Sequence, residues 1–383
     1  MQLQPYEKLE ITLTLSRPVV KHVTNANRYD DTANRVGKYG YPHSDSDVIV
    51  KAYISKPGSG YYFSVNGFYN QEFFFAENNC ANRPYFNGQP TYPAQYHSEV
   101  MLPAVRPTVH DNWKIRYTPD TVTGMYLLKI AVSDKYSFDN SGNRIWKYKD
   151  TFFTVVGEPV SDGFIRIFEG RKRYLYREHT KKMEYLSGAA GHFLFYANEY
   201  SCAMLEALEE YKANNINFFR IWIDGIHPWE GTRLSLVGYD KKEAAGGAVY
   251  TRIFNQLNSK RIDTLLDVFE ANGIDFQICI FTPNLGDVGT DSATQFSPYY
   301  KNCVAYRTAL PYTYKHPNKG FLVDPFDWYR KAHTMQKELV RYAVARWGHY
   351  TNLVSWEIGN EMYPSDTQVR VNESSGAKIY KHP

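Results

Sequence analysis

Near residue 160 the spacing of apolar side chains changes, and this change constrains the fold more than any other feature of the chain. Upstream, apolar and polar residues alternate: Leu9-Glu10-Ile11-Thr12-Leu13-Thr14-Leu15 reads as a strand with one buried face. Val48–Ile54, Tyr61–Val65, Trp113–Tyr117, Met125–Val132 and Thr151–Val156 repeat the pattern. Turn-rich segments such as Lys56-Pro57-Gly58-Ser59-Gly60 and Asp139-Asn140-Ser141-Gly142-Asn143 separate them. Short punctuated strands without a helical period predict an antiparallel β-sandwich over residues 1–160.

Downstream, a hairpin-like stretch, Phe164–Glu178, leads into Tyr185-Leu186-Ser187-Gly188, and strands then alternate with helices. Helical spacing marks Met204–Ala213, Tyr250–Ala271 and Trp328–Trp347. Asn214-Asn215, Asn272-Gly273 and Gly348 follow their ends, and Gly273 suits the left-handed position after a helix. Buried-strand runs lie at Phe218–Ile223, Phe276–Phe281 and Leu353–Ile358. Strand–helix alternation predicts βα units around a parallel sheet over residues 165–383. The long connections Asp224–Val249 and Thr282–Phe326 suit loops that decorate a site. A chain of 383 residues accommodates two such domains.

Aromatic residues reach 16% of the chain, with 33 Tyr, which leaves two readings open. Strands favour aromatics, and flat sugar rings stack on them. The net charge of +4 is dispersed, with no basic block, so nucleic acid is not an expected partner. No stretch is long and apolar enough for a membrane span, and the start Met1-Gln2-Leu3-Gln4-Pro5 has no signal-peptide pattern. Either the protein is cytoplasmic or a targeting segment was never part of this chain. Cys80, Cys202, Cys279 and Cys303 lack Cys-x-x-Cys spacing, and the eleven His form no His-Glu-x-x-His helix, so no metal is expected. Cys279 reads as a buried strand residue; Cys80 and Cys303 are free or paired.

The strongest chemical signal is Trp356-Glu357-Ile358-Gly359-Asn360-Glu361-Met362. In a parallel barrel the carboxyl ends of the strands carry the active site, so a carboxylic acid there is placed for proton transfer. Burial would raise its pKa toward neutrality, and Asn360 offers a neutral donor to a sugar hydroxyl. Alternation sends Asn360 and Glu361 to opposite faces unless the strand bulges or ends there. Glu357 shares the face of Glu361 and reads as a buried structural carboxylate.

With these residues the chain resembles the cellulase-like glycoside hydrolases of clan A, which are (β/α)8 TIM-type barrels. The resemblance rests on Trp356-Glu-x-x-Asn360-Glu361 at the fourth βα strand, Phe219-Arg220-Ile221-Trp222 at the second, and Val344-Ala345-Arg346-Trp347-Gly348 before Asn352–Trp356. Gly67-Phe68-Tyr69-Asn70 and Trp113–Pro119 resemble an immunoglobulin-like domain that precedes such barrels in secreted glycosidases. The resemblance implies cleavage of O-glycosidic bonds in a β-linked polysaccharide or oligosaccharide by a retaining mechanism without a cofactor, in a secreted or periplasmic protein. It implies Glu361 as acid/base, Asn360 on the 2-hydroxyl, and Arg220 holding the nucleophile ionised. A structural salt bridge is the other reading of Arg220. Trp222, His227, Trp229 and Asn284 would line the sugar site, with Trp222 equally readable as core. Relatives carry a His where this chain has Thr282-Pro283-Asn284, which puts the subsite contacts of the third strand in doubt.

Retaining hydrolysis needs a second carboxylate about 5 Å from the first. In the family it comes from the seventh strand, well past Glu361, whereas about four βα units are countable here against eight for a closed barrel. The nucleophile is therefore expected beyond residue 383, and the chain is expected to be a fragment, inactive alone. A non-catalytic carbohydrate-binding module or pseudoenzyme is the alternative, and an adhesion module carried by the sandwich is a third. The oligomeric state is left open.

Overall fold

The structure is a computed structural model. It describes residues 1–15, 22–23, 28–29, 43, 45, 47–75, 85–86, 89–90, 101–103, 112–170, 172–189, 208, 210–223, 254, 256–281, 287–288, 321–322, 330–359, 370–371 and 378–379.

Two sheets form from the alternating half. The strands are β1 (Gln2–Leu3), β2 (Leu9–Thr14), β3 (Val48–Ser55), β4 (Phe63–Asn66), β5 (Phe68–Asn70), β6 (Asn112–Tyr117), β7 (Gly124–Asp134) and β8 (Lys147–Val155). One sheet runs β1-β8-β7-β3-β4 and the other β2-β6-β5. Their inward residues, among them Leu9, Trp113 and Ile115 from one sheet and Val50, Ile54, Tyr126, Leu128 and Phe153 from the other, share one core. The pairing is antiparallel except for β1, which runs parallel to β8. The aromatics divide: Tyr69, Tyr126 and Phe153 are core, while Tyr148 and Phe152 face solvent on β8. Gly67 separates β4 from β5 because a Cβ there would stand 2.6 Å from Val50 Cγ1.

A small antiparallel sheet follows, β9 (Ile165–Ile167), β10 (Leu175–Arg177) and β11 (Met183–Glu184). The strands β12 (Gly188–Ala189), β13 (Phe218–Trp222), β14 (Asp275–Phe281) and β15 (Leu353–Gly359) then build one parallel sheet in chain order. Helix α1 (Gln256–Ala271) precedes β14 and α2 (Arg330–Trp347) precedes β15. Alternate residues Phe219, Ile221, Ile223, Phe276, Ile278 and Ile280 are buried with Ile262, Leu265, Leu266 and Phe269 of α1 and Leu339, Tyr342 and Ala343 of α2. Gly273, at φ 66°, and Asn215, at φ 58°, occupy the left-handed conformation beyond helix ends.

A buried carboxylate is central to the junction of the two halves. Asp263 of α1 accepts Arg346 Nε and Nη2 at 2.9 and 2.8 Å, Arg116 Nη1 and Nη2 at 3.2 and 3.1 Å, and Trp347 Nε1 at 2.8 Å. Arg116 belongs to β6, so this fork crosses from the first half into the second. Arg116 Nη1 also donates to the Arg346 carbonyl at 3.1 Å, and Thr118 Oγ1 to the His349 carbonyl at 2.7 Å. Phe68 of β5 lies under both guanidinia, 5.2 and 5.1 Å from its ring centre, and is buried in the core of the second half.

Burying so many charges is costly unless they neutralise one another. Here Arg116, Arg346 and Lys114 meet Asp263, Glu10 and Glu72. Burial works against the charge on Asp263, but Arg116 and Arg346 outweigh it and hold the carboxyl well below the usual range. Glu10 behaves alike: burial opposes its charge, and Arg116 and Lys114 hold it at about 2.

Replacing Asp263 by Asn leaves the buried Arg346 guanidinium without a counter-charge and Arg116 with Glu10 alone. Urea denaturation should show a loss of about 3–5 kcal/mol. Glu178→Gln, which breaks the exposed Arg166–Glu178 pair, should cost less than about 1 kcal/mol. Equal costs for the two would show that the buried network does not carry the junction.

Candidate active site

The parallel sheet is two-faced. Alternate apolar residues such as Phe219, Ile221, Phe276 and Ile278 pack with the helices, and Arg220, Gln277, Cys279, Ser355 and Glu357 share the opposite face by register: Arg220 pairs with Gln277, Gln277 with Ser355, and Cys279 with Glu357. Strands buried on both faces are commonly apolar throughout, so a polar set here marks a face that the helices do not cover.

Arg220 of β13 and Glu357 of β15 are two strands apart, with β14 between them. Two strand spacings amount to roughly 9.6 Å, a gap that only two long side chains can close. They do so as a fork: Arg220 Nε donates to Glu357 Oε2 at 2.5 Å and Nη2 to Oε1. Cys279, the intervening residue, is fully buried beside Arg220. Its small side chain leaves room for a pair that a larger residue would obstruct. The Glu357 hydrogen bonds raise the guanidinium pKa, burial opposes them, and Glu357 and Cys279 add to the rise. Side-chain exposures of 24% and 22% leave both partners within reach of solvent. Glu357 is thus ion-paired, as a structural carboxylate is, but partly rather than fully buried.

At the opposite, amino-terminal end of β14 lies Asp275, buried and bound by Arg177 Nη2 at 2.5 Å. Arg177 Nε also reaches Glu184 at 2.8 Å, so β10 and β11 close the foot of the sheet. Burial lifts the Asp275 carboxyl to about 7, Glu184 adds to the rise, and Arg177 opposes it. Chemistry in parallel-sheet enzymes gathers at the carboxyl ends of strands, so this cluster belongs to the scaffold.

Of the residues singled out in the sequence, Arg220 is described in full. Trp222 closes β13 opposite Cys279; only its backbone is described. His227, Trp229, Asn284, Asn360 and Glu361 lie outside the described residues. Strand β15 ends at Gly359, directly before Asn360 and Glu361 in the chain. The Arg220–Glu357 partnership went unread in the sequence, although opposite charges on two βα strands with one strand between them were its available signal. Among the described residues no group of three or more His, Cys, Asp or Glu side chains is arranged to hold a metal. No described helix is long and apolar enough to cross a membrane.

No family model and no curated protein matches the sequence. Solved structures give loose likenesses. A candidate glycoside hydrolase from Bacteroides vulgatus superposes with a TM-score of 0.47 at 12% identity, over 94% of this chain and 57% of that one. An endo-1,4-beta-mannanase from Eisenia fetida gives 0.29 at 21% identity, over 52% of this chain and 45% of that one. A GH5 xyloglucanase from Bacteroides ovatus, in complex with a XXXG heptasaccharide, gives 0.21 at 10%, over 99% and 67%. The chain spans little more than half the length of the first.

The fork between Arg220 and Glu357 should be measurable as a coupling. A double-mutant cycle with Arg220→Met and Glu357→Gln, followed by urea denaturation, should give about 1–3 kcal/mol, as expected for a bidentate, charge-assisted pair with partial burial. A coupling indistinguishable from zero would mean that solvent separates the two groups.

Proposed function

We propose that this chain carries the acid/base part of a retaining glycoside hydrolase acting on a β-linked polysaccharide or oligosaccharide. In this reading residues 1–160 are an immunoglobulin-like sandwich, and residues 165–383 supply the leading βα units of a (β/α)8 barrel. The observation that carries it is a parallel sheet of four strands in chain order, helices on one face and Arg220–Glu357 on the other. Its last described strand leads straight into Asn360-Glu361. A polymeric substrate suits a secreted or periplasmic protein.

Glu361, in its acid form, protonates the departing glycosidic oxygen. As a carboxylate it then takes a proton from the water that releases the sugar. Asn360 donates to the 2-hydroxyl. Trp222, His227, Trp229 and Asn284 border the sugar, indole faces meeting the apolar faces of the rings. The nucleophile is a second carboxylate about 5 Å from Glu361. Glu357 is not assigned that role: the Arg220 fork binds both of its oxygens, which fixes its orientation and lowers its nucleophilicity. Arg220 instead contributes fixed positive charge beside the reacting centre, which favours the ionised form of a neighbouring carboxylate.

The test compares wild type and Glu361→Gln, each in the longer protein that would supply the nucleophile, on β-linked polysaccharides and on aryl β-glycosides. Losing a general acid should cut turnover of polysaccharide by about 10²–10⁴-fold, and less for an aryl glycoside, whose leaving group departs without protonation. Turnover unaffected by the substitution would move the acid/base elsewhere. Saccharide binding by wild type and variant alike, with no product from either, would make the chain a non-catalytic carbohydrate-binding protein.

A further inference from the structure

His349 follows α2 at the corner leading into β15, where the two halves of the molecule meet, and only 6% of its surface is exposed. Thr118 holds its carbonyl, and its ring tilts against Tyr350 at 4.1 Å. Among the described residues, neither Nδ1 nor Nε2 has a hydrogen-bond partner. The charged groups around it come from every element packed there: Lys8 and Glu10 at β2, Arg116 on β6, and Asp263 on α1. The carboxylates described near it are already engaged. Asp263 serves two guanidinia, Glu10 binds Lys114 and Arg116, and Asp267 takes the Tyr350 hydroxyl at 2.6 Å with Lys8 at 4.0 Å.

We propose that His349 makes the junction between the two halves an acid-sensitive latch, closed around the neutral imidazole and opened by its protonation. An imidazolium at this position would carry two N–H donors with no acceptor, beside Arg116 and Lys8. The relief available is exposure to water, and the way out is separation of β6 and Thr118 from the α2–β15 corner. Burial, then Arg116 and Lys8, push the imidazole pKa well below 6.5. The sign follows. Below pH 6.5 the opened or unfolded chain binds a proton that the closed form refuses, so closure is fully stable above that value and weakens as pH falls. Asp275, lifted to about 7, works the other way: it favours the folded form at acid pH and loses that contribution as pH rises. A single pH–stability curve therefore mixes the two, and the difference between wild type and a His349 variant isolates the latch.

The experiment uses the full chain, with His349→Phe and His349→Gln as two non-titrating replacements of different polarity. Urea unfolding is followed from pH 8 to pH 5. Between pH 6.5 and 5 the unfolding constant of wild type should rise by up to about tenfold per pH unit relative to either variant, the signature of one proton. Hydrogen exchange, corrected for its intrinsic pH dependence, should show peptides spanning 112–118 and 342–352 opening in acid before those of β7 and β8. Equal pH slopes in wild type and a folded variant would overturn the proposal, as would exchange that rises in all peptides together. If neither variant folds, NMR of wild type decides: a His349 imidazole, assigned through its contact with Tyr350, that titrates near 6.5 overturns the latch, and one that stays neutral below pH 5.5 supports it.

Discussion

A carboxylate removed from water between two guanidinia is a demanding arrangement, because each charge is tolerable only while the others stay in place. Asp263, on α1, is held in this way, and its donors come from two elements distant in sequence, β6 and the end of α2. Phe68, an aromatic residue of the first half, is buried in the core of the second. The consequence is that the sandwich-like sheets form a wall of the βα region, laid against the helices that back the parallel sheet. Those helices in turn bury the apolar side of β13, β14 and β15. The polar side of the same strands, with Arg220 and Glu357, is left to face away.

The division of labour within the parallel sheet follows from strand geometry. Side chains alternate, so one set of positions is committed to the helix-facing core and the other is available for chemistry. At the foot, Arg177 ties β10 to Asp275, and at the carboxyl ends a second arginine ties β13 to β15 across Cys279. Both forks link chain segments that hydrogen-bonded ladders do not join directly, and the second stiffens the edge from which Asn360 and Glu361 emerge in sequence.

Elements governed by local periodicity were legible in the sequence. The alternation beginning at Leu9 gives a strand at Leu9–Thr14, and Gly273 takes the left-handed conformation that its place after a helix requires. The strand expected at Phe276–Phe281 is Asp275–Phe281, one residue longer. The helix expected from Tyr250 is described from Gln256, and that expected from Trp328 begins at Arg330. What escaped is non-local. Strand β1 has two residues and exists through its parallel pairing with β8, and Phe68–Asn70 is too short to show a period although all three residues are buried. Nothing in the sequence couples Arg116 to Asp263 and Arg346, because a buried charge network is set by tertiary contact. For the site, the motif ending in Glu361 was legible as chemistry, and Arg220 as a cation at a strand end. Its pairing with Glu357 depends on register across three strands, which a single sequence does not encode locally.

The sandwich-like sheets and the βα region fold as one unit, with Asp263 at their junction. The most direct measurement is equilibrium urea unfolding of the full chain, read by pulsed hydrogen exchange in peptides from β7 and β8 and, separately, from α1 and β14. Both sets should lose protection at one urea concentration, as a single cooperative transition does. Two transitions, with β7 and β8 still protected after α1 has unfolded or the reverse, would contradict it.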